Sequence, residues 1–248
     1  SEINEYNSFK ENEKKRKKEK QKAKQDEKQN VRHNEKQNFN ENNGTNYFKK
    51  HQELNYEQKQ YYNKIIETEE SVFLTGSPGT GKSFTLRKLI EYFKDNNYNI
   101  GITSTTGCSA ILIGARTLHS FLKINVSKKN ALQLYKHIQK YPEKMKEIQD
   151  LQILIIEEIS MLSDKLFDTI SEYLSLICKN EKPFGGIKLI LVGDFCQLPP
   201  VEDNFCFLSK EWQRLNPLIM NLKKLLRQGT DVKFQELLNR ARTGKITD

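Results

Sequence analysis

Residues 76–83 read GSPGTGKS and match the pattern GxxxxGK[ST] without a gap. Glycines in such a segment allow successive backbone N–H groups to turn towards one anion, because no Cβ atom stands in the way. An apolar strand-like run, 71–75, precedes the segment, and apolar residues between Phe84 and Phe93 recur at helical spacing after it. This order predicts a phosphate-binding loop between a strand and a helix whose positive end favours the same anion.

The loop predicts a nucleotide site for ATP with Mg²⁺. Lys82 is expected to reach the β- and γ-phosphates, and the Ser83 hydroxyl is expected to hold Mg²⁺. The residues predicted to bind the nucleotide are Gly76, Ser77, Pro78, Gly79, Thr80, Gly81, Lys82, Ser83 and Phe84.

Apolar runs of strand length alternate with helical periodicity along the rest of the chain. The runs 100–104, 151–156 and 187–192 carry few charges, as strands buried on both faces of a parallel sheet do. The alternation predicts an α/β fold of the P-loop NTPase type, with a parallel β-sheet flanked by helices. Asn55 is expected to cap the helix before the first strand, and a polar, lysine-rich stretch, 125–150, is expected to form a small inserted helical subdomain.

Residues 1–50 differ from the remainder in composition. They are rich in Lys, Glu, Asn and Gln and carry +5 of the net charge of +9. So few apolar residues cannot offset the entropy of ordering, which predicts a disordered charged arm. The basic run 14–18 could be an import or nucleic-acid patch, although a solvated arm is the favoured interpretation. Because the arm holds most of the excess charge, net charge is weak evidence that the remaining domain binds nucleic acid.

Cysteine spacing and hydropathy limit the classes of protein to which the chain can belong. The four cysteines show no CxxC spacing and no histidine at zinc-finger distance, so they are interpreted as reduced thiols. No apolar run is long enough to cross a membrane, and no secretory signal segment is recognisable. An intracellular protein without a membrane partner is therefore expected.

Two further strand ends carry polar residues that suit ATP hydrolysis. Glu157 and Glu158 follow four apolar residues directly, at the end of a parallel strand where ligands bind. Glu157 is assigned to the Mg²⁺ shell and Glu158 to the attacking water. Gln197, after the next buried strand, is a candidate sensor of the γ-phosphate, although a structural turn would explain its segment nearly as well.

Five segments in a fixed order resemble the PIF-one-like DNA helicases, a 5′-to-3′ branch of helicase superfamily 1B. They are GSPGTGKSFTL (76–86), TSTTGCSAILIGARTLHSF (103–121), EEISMLSDKLFD (157–168), KPFGGIKLILVGDFCQLPPV (182–201) and LKKLLRQGTDVKF (222–234). The resemblance covers about residues 54–245, and its second and fourth segments are far more specific than the loop alone.

The resemblance implies further roles at matching positions. Gln58 resembles a glutamine that reads adenine, and Arg227 resembles an arginine that contacts the γ-phosphate. With Lys82, Glu158 and Gln197, Arg227 completes the implied catalytic set. The residues implied to contact single-stranded DNA are Thr105, Thr106, Gly107, His119, Ser120 and Phe121. The rings of His119 and Phe121 could meet bases.

The resemblance also sets expectations for the whole protein. It implies an ATP-dependent 5′-to-3′ helicase that binds single-stranded DNA and DNA junctions and works as a monomer in replication, repair, recombination or telomere maintenance. The compartment would be a nucleus or mitochondrion, or the protein would belong to a large DNA virus. Residues 51–248 are expected to be the first RecA-like motor domain, with a second RecA-like domain absent from this chain.

One residue departs from the family pattern, and two other functions stay open. Where the family usually has Asp, this chain has Glu157, whose side chain is one methylene longer, so the metal geometry must shift by about a bond length. A clamp-loader or packaging ATPase would share the phosphate-binding loop, although the segment TLHSF argues against it. A nucleotide-dependent binding switch would bind ATP with little turnover stimulated by DNA.

Overall fold

Six parallel strands form a single sheet in the computed structural model, which describes residues 53–124, 130–201, 203–224 and 240. The predicted arm, 1–50, lies outside the described residues. The strands are β1 (Val72–Gly76), β2 (Ile100–Ser104), β3 (Arg116–Thr117), β4 (Ile153–Glu157), β5 (Lys188–Val192) and β6 (Leu218–Leu222). Their order across the sheet is β3-β2-β4-β5-β1-β6, and every pairing is parallel. The predicted parallel α/β fold is confirmed.

Eight α-helices connect and cover the strands in the described part of the chain. They are α1 (Tyr56–Glu67), α2 (Lys82–Asp95), α3 (Gly107–Leu112), α4 (Leu118–Leu122), α5 (Ala131–Ile138), α6 (Pro142–Gln149), α7 (Asp164–Cys178) and α8 (Lys210–Leu215). Short 3₁₀ turns lie at Ile159–Met161, Pro183–Gly186 and Cys206–Leu208. None of the helices in these described segments is long and apolar enough to span a membrane.

The sheet separates two apolar clusters because successive strand residues point to opposite faces. On β4, Ile153 and Ile155 join a cluster with α1 and α2, whereas Leu154 and Ile156 join the cluster beneath α4 to α7. All four side chains are at most 2% exposed. A continuous apolar run therefore becomes the middle of the sheet, and both of its faces are covered.

Local capping signals place the helices where the sequence indicates. Asn55 caps α1 in a capping box with Gln58: the Asn55 side chain accepts from the Gln58 N–H, and the Gln58 side chain accepts from the Asn55 N–H. In the stretch 125–150, residues 125–129 lie outside the described residues, and the others form α5 and α6. Buried apolar residues of both helices belong to the same cluster as α7. That this stretch is a separate small subdomain stays a prediction.

The four cysteines are free thiols, as their spacing predicts. Cys206 is fully buried, and burial raises the pKa of its thiol to about 12. Burial also raises the pKa of Cys178. The buried Cys206 and the half-buried Cys178 therefore stay protonated and behave as small apolar side chains.

The turn at Pro183–Gly186 provides a sharp test of the packing against α7. Gly185 has a φ of 67°, and a Cβ atom there would lie 2.7 Å from the Cys178 Cβ and 2.8 Å from the Leu174 carbonyl oxygen. Gly114 has a φ of 66°, but no atom lies within 4 Å of its Cβ position. We expect Gly114→Ala to lower the free energy of unfolding only by the cost of the left-handed backbone, about 1–2 kcal/mol. Gly185→Ala should lower the free energy of unfolding by roughly 1–3 kcal/mol more, because the added methyl group overpacks the contact with α7.

Urea unfolding of both variants measures this difference, because the backbone term is shared by the pair. Equal free energies of unfolding for the two variants would show that the turn can move away from α7 without cost.

Candidate nucleotide and DNA site

The predicted phosphate-binding loop connects β1 to α2. Gly79 and Gly81 have φ values of 86° and 88°, which glycine adopts without steric cost. Gly81 is the N-cap residue of α2 and offers no side-chain oxygen to that helix. The N–H groups of the first turn are therefore available to an anion, as at other helix N-termini that bind phosphate.

The ammonium group of Lys82 lies over this loop. Its Nζ donates to the carbonyl oxygens of Gly76 at 2.7 Å and Ser77 at 3.3 Å. Thr80 is buried, and its Oγ1 donates to the Ser77 carbonyl oxygen at 2.8 Å. The loop thus holds a positive charge beside the backbone groups that would meet phosphates.

Gln58 joins α1 to the same loop. Its oxygen accepts the Asn55 N–H at 3.1 Å, and its Nε2 donates to the Thr80 carbonyl oxygen at 3.2 Å. The side chain is buried, and it uses both ends of its amide in contacts with the backbone. Gln58 therefore lies beside the loop and supports it through a contact that the sequence did not indicate. Its adenine contact stays a prediction.

Glu157 is the last residue of β4, and two serine hydroxyls bind its carboxylate. The Ser83 Oγ donates to one oxygen at 3.0 Å, and the Ser109 Oγ donates to the other. Glu157 is 5% exposed. Burying a carboxylate is costly unless hydrogen bonds compensate, and these two hydroxyls provide the compensation.

Glu158 follows in a left-handed conformation with φ 56° and ψ 44°. A non-glycine residue rarely adopts this backbone, and such positions are frequent at functional sites. Burial raises the pKa of its carboxyl group, and the neighbouring charges of Glu157 and Asp194 raise it further, while Lys82 opposes them. A carboxyl group tuned in this direction suits a base that takes a proton from water.

The segment after β5 lies between the loop and the acidic pair, because β5 pairs with both β1 and β4. Asp194 is 1% exposed, and one of its carboxylate oxygens accepts the Cys196 N–H at 3.0 Å. The Gln197 N–H donates to the Asp194 carbonyl oxygen at 2.9 Å, and the Gln197 side chain is exposed. The turn therefore presents Gln197 at the edge of the sheet where the acidic pair lies.

A cavity of about 500 Å³ opens at this edge. Of the predicted site residues, Ser83, Thr106, Glu157, Glu158 and Gln197 line it. Arg87, Ser109 and Ser160 also line it, and none of these three was assigned a role from the sequence. The structure thus brings nucleotide, metal and DNA candidates to one cavity.

The first half of the predicted DNA segment bonds directly to the acidic pair. The Thr105 N–H donates to the Glu157 carbonyl oxygen at 3.1 Å, and its Oγ1 donates to the Glu158 carbonyl oxygen at 2.7 Å. Thr106 caps α3, and its side chain accepts the Ser109 N–H at 3.2 Å. Gly107 begins that helix, with open space where a Cβ would be.

The second half of the segment forms α4. Ser120 is exposed and His119 is half-buried. Burial lowers the pKa of His119, so its imidazole is neutral at pH 7. A neutral ring that keeps some exposure can stack on a base without adding charge.

Phe121 is placed differently from its neighbours, since only 3% of it is exposed. The Lys144 Nζ lies 3.7 Å from the ring centroid and the Arg116 guanidinium carbon lies 4.8 Å from it. Both cations also form ion pairs with Glu147, at 2.8 Å and 2.9 Å. The ring is therefore covered by protein and offers no free face to a base, so a role in holding α4 suits it better than stacking.

Phe84 and Arg227 are the remaining predicted residues of the nucleotide site, and Ser109 is a functional candidate that the sequence did not indicate. Phe84 lies half-buried in the first turn of α2. Arg227 lies outside the described residues, so its γ-phosphate contact stays a prediction. Ser109 was missed because its contact with Glu157 spans 48 residues of sequence and depends on the pairing of β2 with β4.

The donor set at the end of β4 fits Mg²⁺. The described residues contain no group of three or more His, Cys, Asp or Glu that could enclose a metal ion. Mg²⁺ at nucleotide sites needs no such group, since one or two protein oxygens suffice beside phosphates and water. Ser83 and Glu157 supply such oxygens, and the buried Ser160 Oγ, which has no hydrogen-bond partner, lies at the same cavity.

A parallel sheet with a phosphate loop after β1 and an acidic pair at the end of β4 defines a P-loop nucleoside triphosphatase with a RecA-like core. Residues 53–248 match the family model described as PIF1-like helicase. The chain therefore belongs to the PIF1-like helicase family.

Individual relatives agree with this assignment. The "ATP-dependent DNA helicase PIF1" of Saccharomyces cerevisiae is 40% identical over 193 residues, which are 75% of this chain and 22% of that protein. The crystal structure of Pif1 helicase from Candida albicans is similar with a TM-score of 0.77 and 35% identity, over 80% of this chain and 46% of that one. Bacteroides Pif1 bound to ssDNA is similar with a TM-score of 0.66 and 29% identity, over 79% of this chain and 48% of that one. The chain thus spans less than half the length of these relatives.

The raised pKa of Glu158 predicts a stability effect that depends on pH. An ionised carboxylate whose folded pKa exceeds its unfolded pKa costs folding free energy above the folded pKa, and this cost disappears as the pH falls below the unfolded value. Glu158→Gln should therefore raise the melting temperature at pH 7–8, by roughly 1–3 °C because the side chain is only partly buried. The gain should shrink towards zero near pH 4.

Thermal unfolding from pH 4 to pH 8 measures the effect, with Glu172→Gln as the control because Glu172 is exposed on α7. A gain for Glu158→Gln that stayed constant with pH would contradict the assigned cause.

Proposed function

We propose that this chain supplies the ATP-binding half of a 5′-to-3′ DNA helicase, which couples ATP hydrolysis to translocation on single-stranded DNA and to duplex unwinding. One observation carries the proposal. The Glu157 carboxylate accepts a hydrogen bond from Ser83 of the phosphate loop, and the backbone carbonyls of Glu157 and Glu158 accept hydrogen bonds from Thr105 of the predicted DNA segment. A strand end that contacts both segments can link the state of the nucleotide to the position of the DNA.

In this proposal each predicted site residue has a defined task. The loop N–H groups and Lys82 bind the phosphates, while Ser83 and Glu157 hold Mg²⁺, which would neutralise charge on the β- and γ-phosphate oxygens. Glu158 orients the attacking water and takes its proton. Gln197 and Arg227 contact the γ-phosphate, and Gln58 with Phe84 lies beside the nucleotide.

Single-stranded DNA is the proposed track. Thr105, Thr106 and Gly107 would meet the DNA backbone, while Ser120 and the His119 ring would meet the following nucleotide. The similarity to a Pif1 helicase bound to ssDNA supports this choice of ligand. DNA junctions, a monomeric state and work in replication, repair, recombination or telomere maintenance are proposed with it. The proposed compartment is the nucleus or mitochondrion, or the site of replication of a large DNA virus.

ATP is proposed to bridge this domain and a second RecA-like domain. Closure on ATP and release after hydrolysis would then alternate the grip of the two domains on DNA. The 248-residue chain alone is expected to bind nucleotide, to hydrolyse it slowly and to leave a tailed duplex intact.

Two other functions make different predictions. A clamp-loader or packaging ATPase would assemble into a ring, which size-exclusion chromatography with light scattering would detect. A binding switch would bind ATP, but its turnover would not depend on Glu158. The match of residues 53–248 to the PIF1-like helicase family model favours the helicase.

Glu158→Gln tests the catalytic assignment. The amide has the same shape but cannot take a proton, so turnover should fall about 100-fold or more while ATP affinity changes little. Steady-state phosphate release and equilibrium binding of a fluorescent ATP analogue measure the two quantities. If the variant turned over ATP as fast as the parent, Glu158 would not be the residue that positions the attacking water.

His119→Ala tests the DNA assignment. Loss of one stacked ring should weaken binding of an oligo(dT) about 5- to 10-fold. The dependence of affinity on salt should not change, because the neutral imidazole releases no counterion at pH 7.5. Fluorescence anisotropy between 50 and 200 mM salt measures both, with His137→Ala on α5 as the control histidine. A shallower salt dependence, or equal losses in the two variants, would contradict a neutral stacking role.

A further inference from the structure

We propose that Ser109 is a positioning residue for the metal ligand Glu157, and that it makes α3 part of the Mg²⁺ site. This inference rests on the proposed function, in which Ser83 and Glu157 hold Mg²⁺. Ser109 belongs to the predicted DNA segment by sequence, but its hydroxyl points to the nucleotide side of the sheet edge.

The contact is built into the local structure. Ser109 is the third residue of α3, and its N–H donates to the Thr106 side chain at 3.2 Å. That cap fixes the first turn of the helix and with it the direction of the Ser109 side chain. The Ser109 hydroxyl then donates to one carboxylate oxygen of Glu157, while Ser83 donates to the other at 3.0 Å.

A hydroxyl in a helix commonly bonds to the carbonyl oxygen four residues earlier. Ser109 instead crosses from α3 to the end of β4, where Glu157 is 5% exposed. The contact thus serves the carboxylate rather than the helix. Hydrogen bonds of this kind orient metal ligands, and their removal typically weakens metal affinity about 10- to 100-fold.

The length of Glu157 explains why this ligand needs a second donor. A glutamate has one more rotatable bond than an aspartate, so a single hydrogen bond from Ser83 leaves its carboxylate free to turn. Two donors, one on each oxygen, fix the plane of the carboxylate before a metal ion arrives. Ser109 thereby offsets the rotational freedom that the longer side chain introduces.

The same contact connects the metal ligand to the proposed DNA segment. Thr106 and Gly107 lie at the start of α3, and Ser109 follows within the same turn. A shift of α3 when DNA binds would move the hydroxyl that orients Glu157. Mg²⁺ affinity at the nucleotide site should therefore respond to single-stranded DNA, and Ser109 should transmit the response.

The experiment measures Mg²⁺ dependence separately from nucleotide binding. For the 248-residue chain, a fluorescent ATP analogue is titrated in EDTA and then with increasing Mg²⁺, with and without oligo(dT). Ser109→Ala should raise the Mg²⁺ concentration at half-maximal enhancement about 10-fold, while affinity in EDTA stays within about twofold of the parent. Oligo(dT) should shift the midpoint of the parent at least threefold more than that of the variant.

A second substitution tests whether Ser109 acts through Glu157. Glu157→Asp withdraws the carboxylate by about one bond length, so the Ser109 contact is lost with it. Adding Ser109→Ala to Glu157→Asp should then shift the Mg²⁺ midpoint at least threefold less than it does in the parent. Ile111→Ala, at a residue of α3 that is 79% exposed, is the control for changes in the helix itself.

Three results would overturn the inference. An unchanged Mg²⁺ midpoint for Ser109→Ala would remove the positioning role, and an equal shift in the Glu157→Asp background would show that Ser109 does not act through Glu157. A loss of affinity in EDTA as large as the loss in Mg²⁺ would indicate a structural role only. If the parent itself bound no nucleotide, or bound it without regard to Mg²⁺, the proposed function would fail, and the inference with it.

Discussion

The burial of β4 on both faces is the constraint on which the rest of the structure depends. Its aliphatic residues fill two clusters on opposite sides of the sheet, so no polar side chain can lie on the strand before its end. Glu157 and Glu158 are therefore the first polar groups to emerge, and they do so at the edge where parallel strands present ligands. Since β2 and β5 pair with β4 on either side, the residues that follow them must lie beside these two carboxylates.

Much of the fold follows from local signals that the sequence carries. The cap at Asn55, the glycines of the loop and the apolar runs each act over a few residues, which is why the helix and strand positions could be predicted from them. The strand ends differ from the predictions by one or two residues: β4 begins at Ile153 and includes Glu157, for example. Strand β3 has only two residues, which is too short for an alternating pattern that would predict a strand.

The parts that could not be predicted depend on which strands are neighbours. The Ser109 contact with Glu157 and the Gln58 contact with Thr80 join residues far apart in sequence. The burial of Phe121 has the same origin, because α6 supplies Lys144 and Glu147 from a stretch whose composition suggested only a polar insertion. Pattern and spacing identify the residues that have chemical roles, whereas the pairing of strands across the sheet decides which of these residues contact one another.

The pair of hydroxyls on Glu157 also bears on how this strand end can change during evolution. The PIF1-like helicase family usually has aspartate at this position. From the same backbone, the shorter side chain of an aspartate would not reach both Ser83 and Ser109. If Ser109 positions Glu157, the longer carboxylate and the serine are advantageous together and each is of little use alone. Their substitution would be epistatic: glutamate at position 157 would persist in lineages that already carry a hydroxyl at position 109.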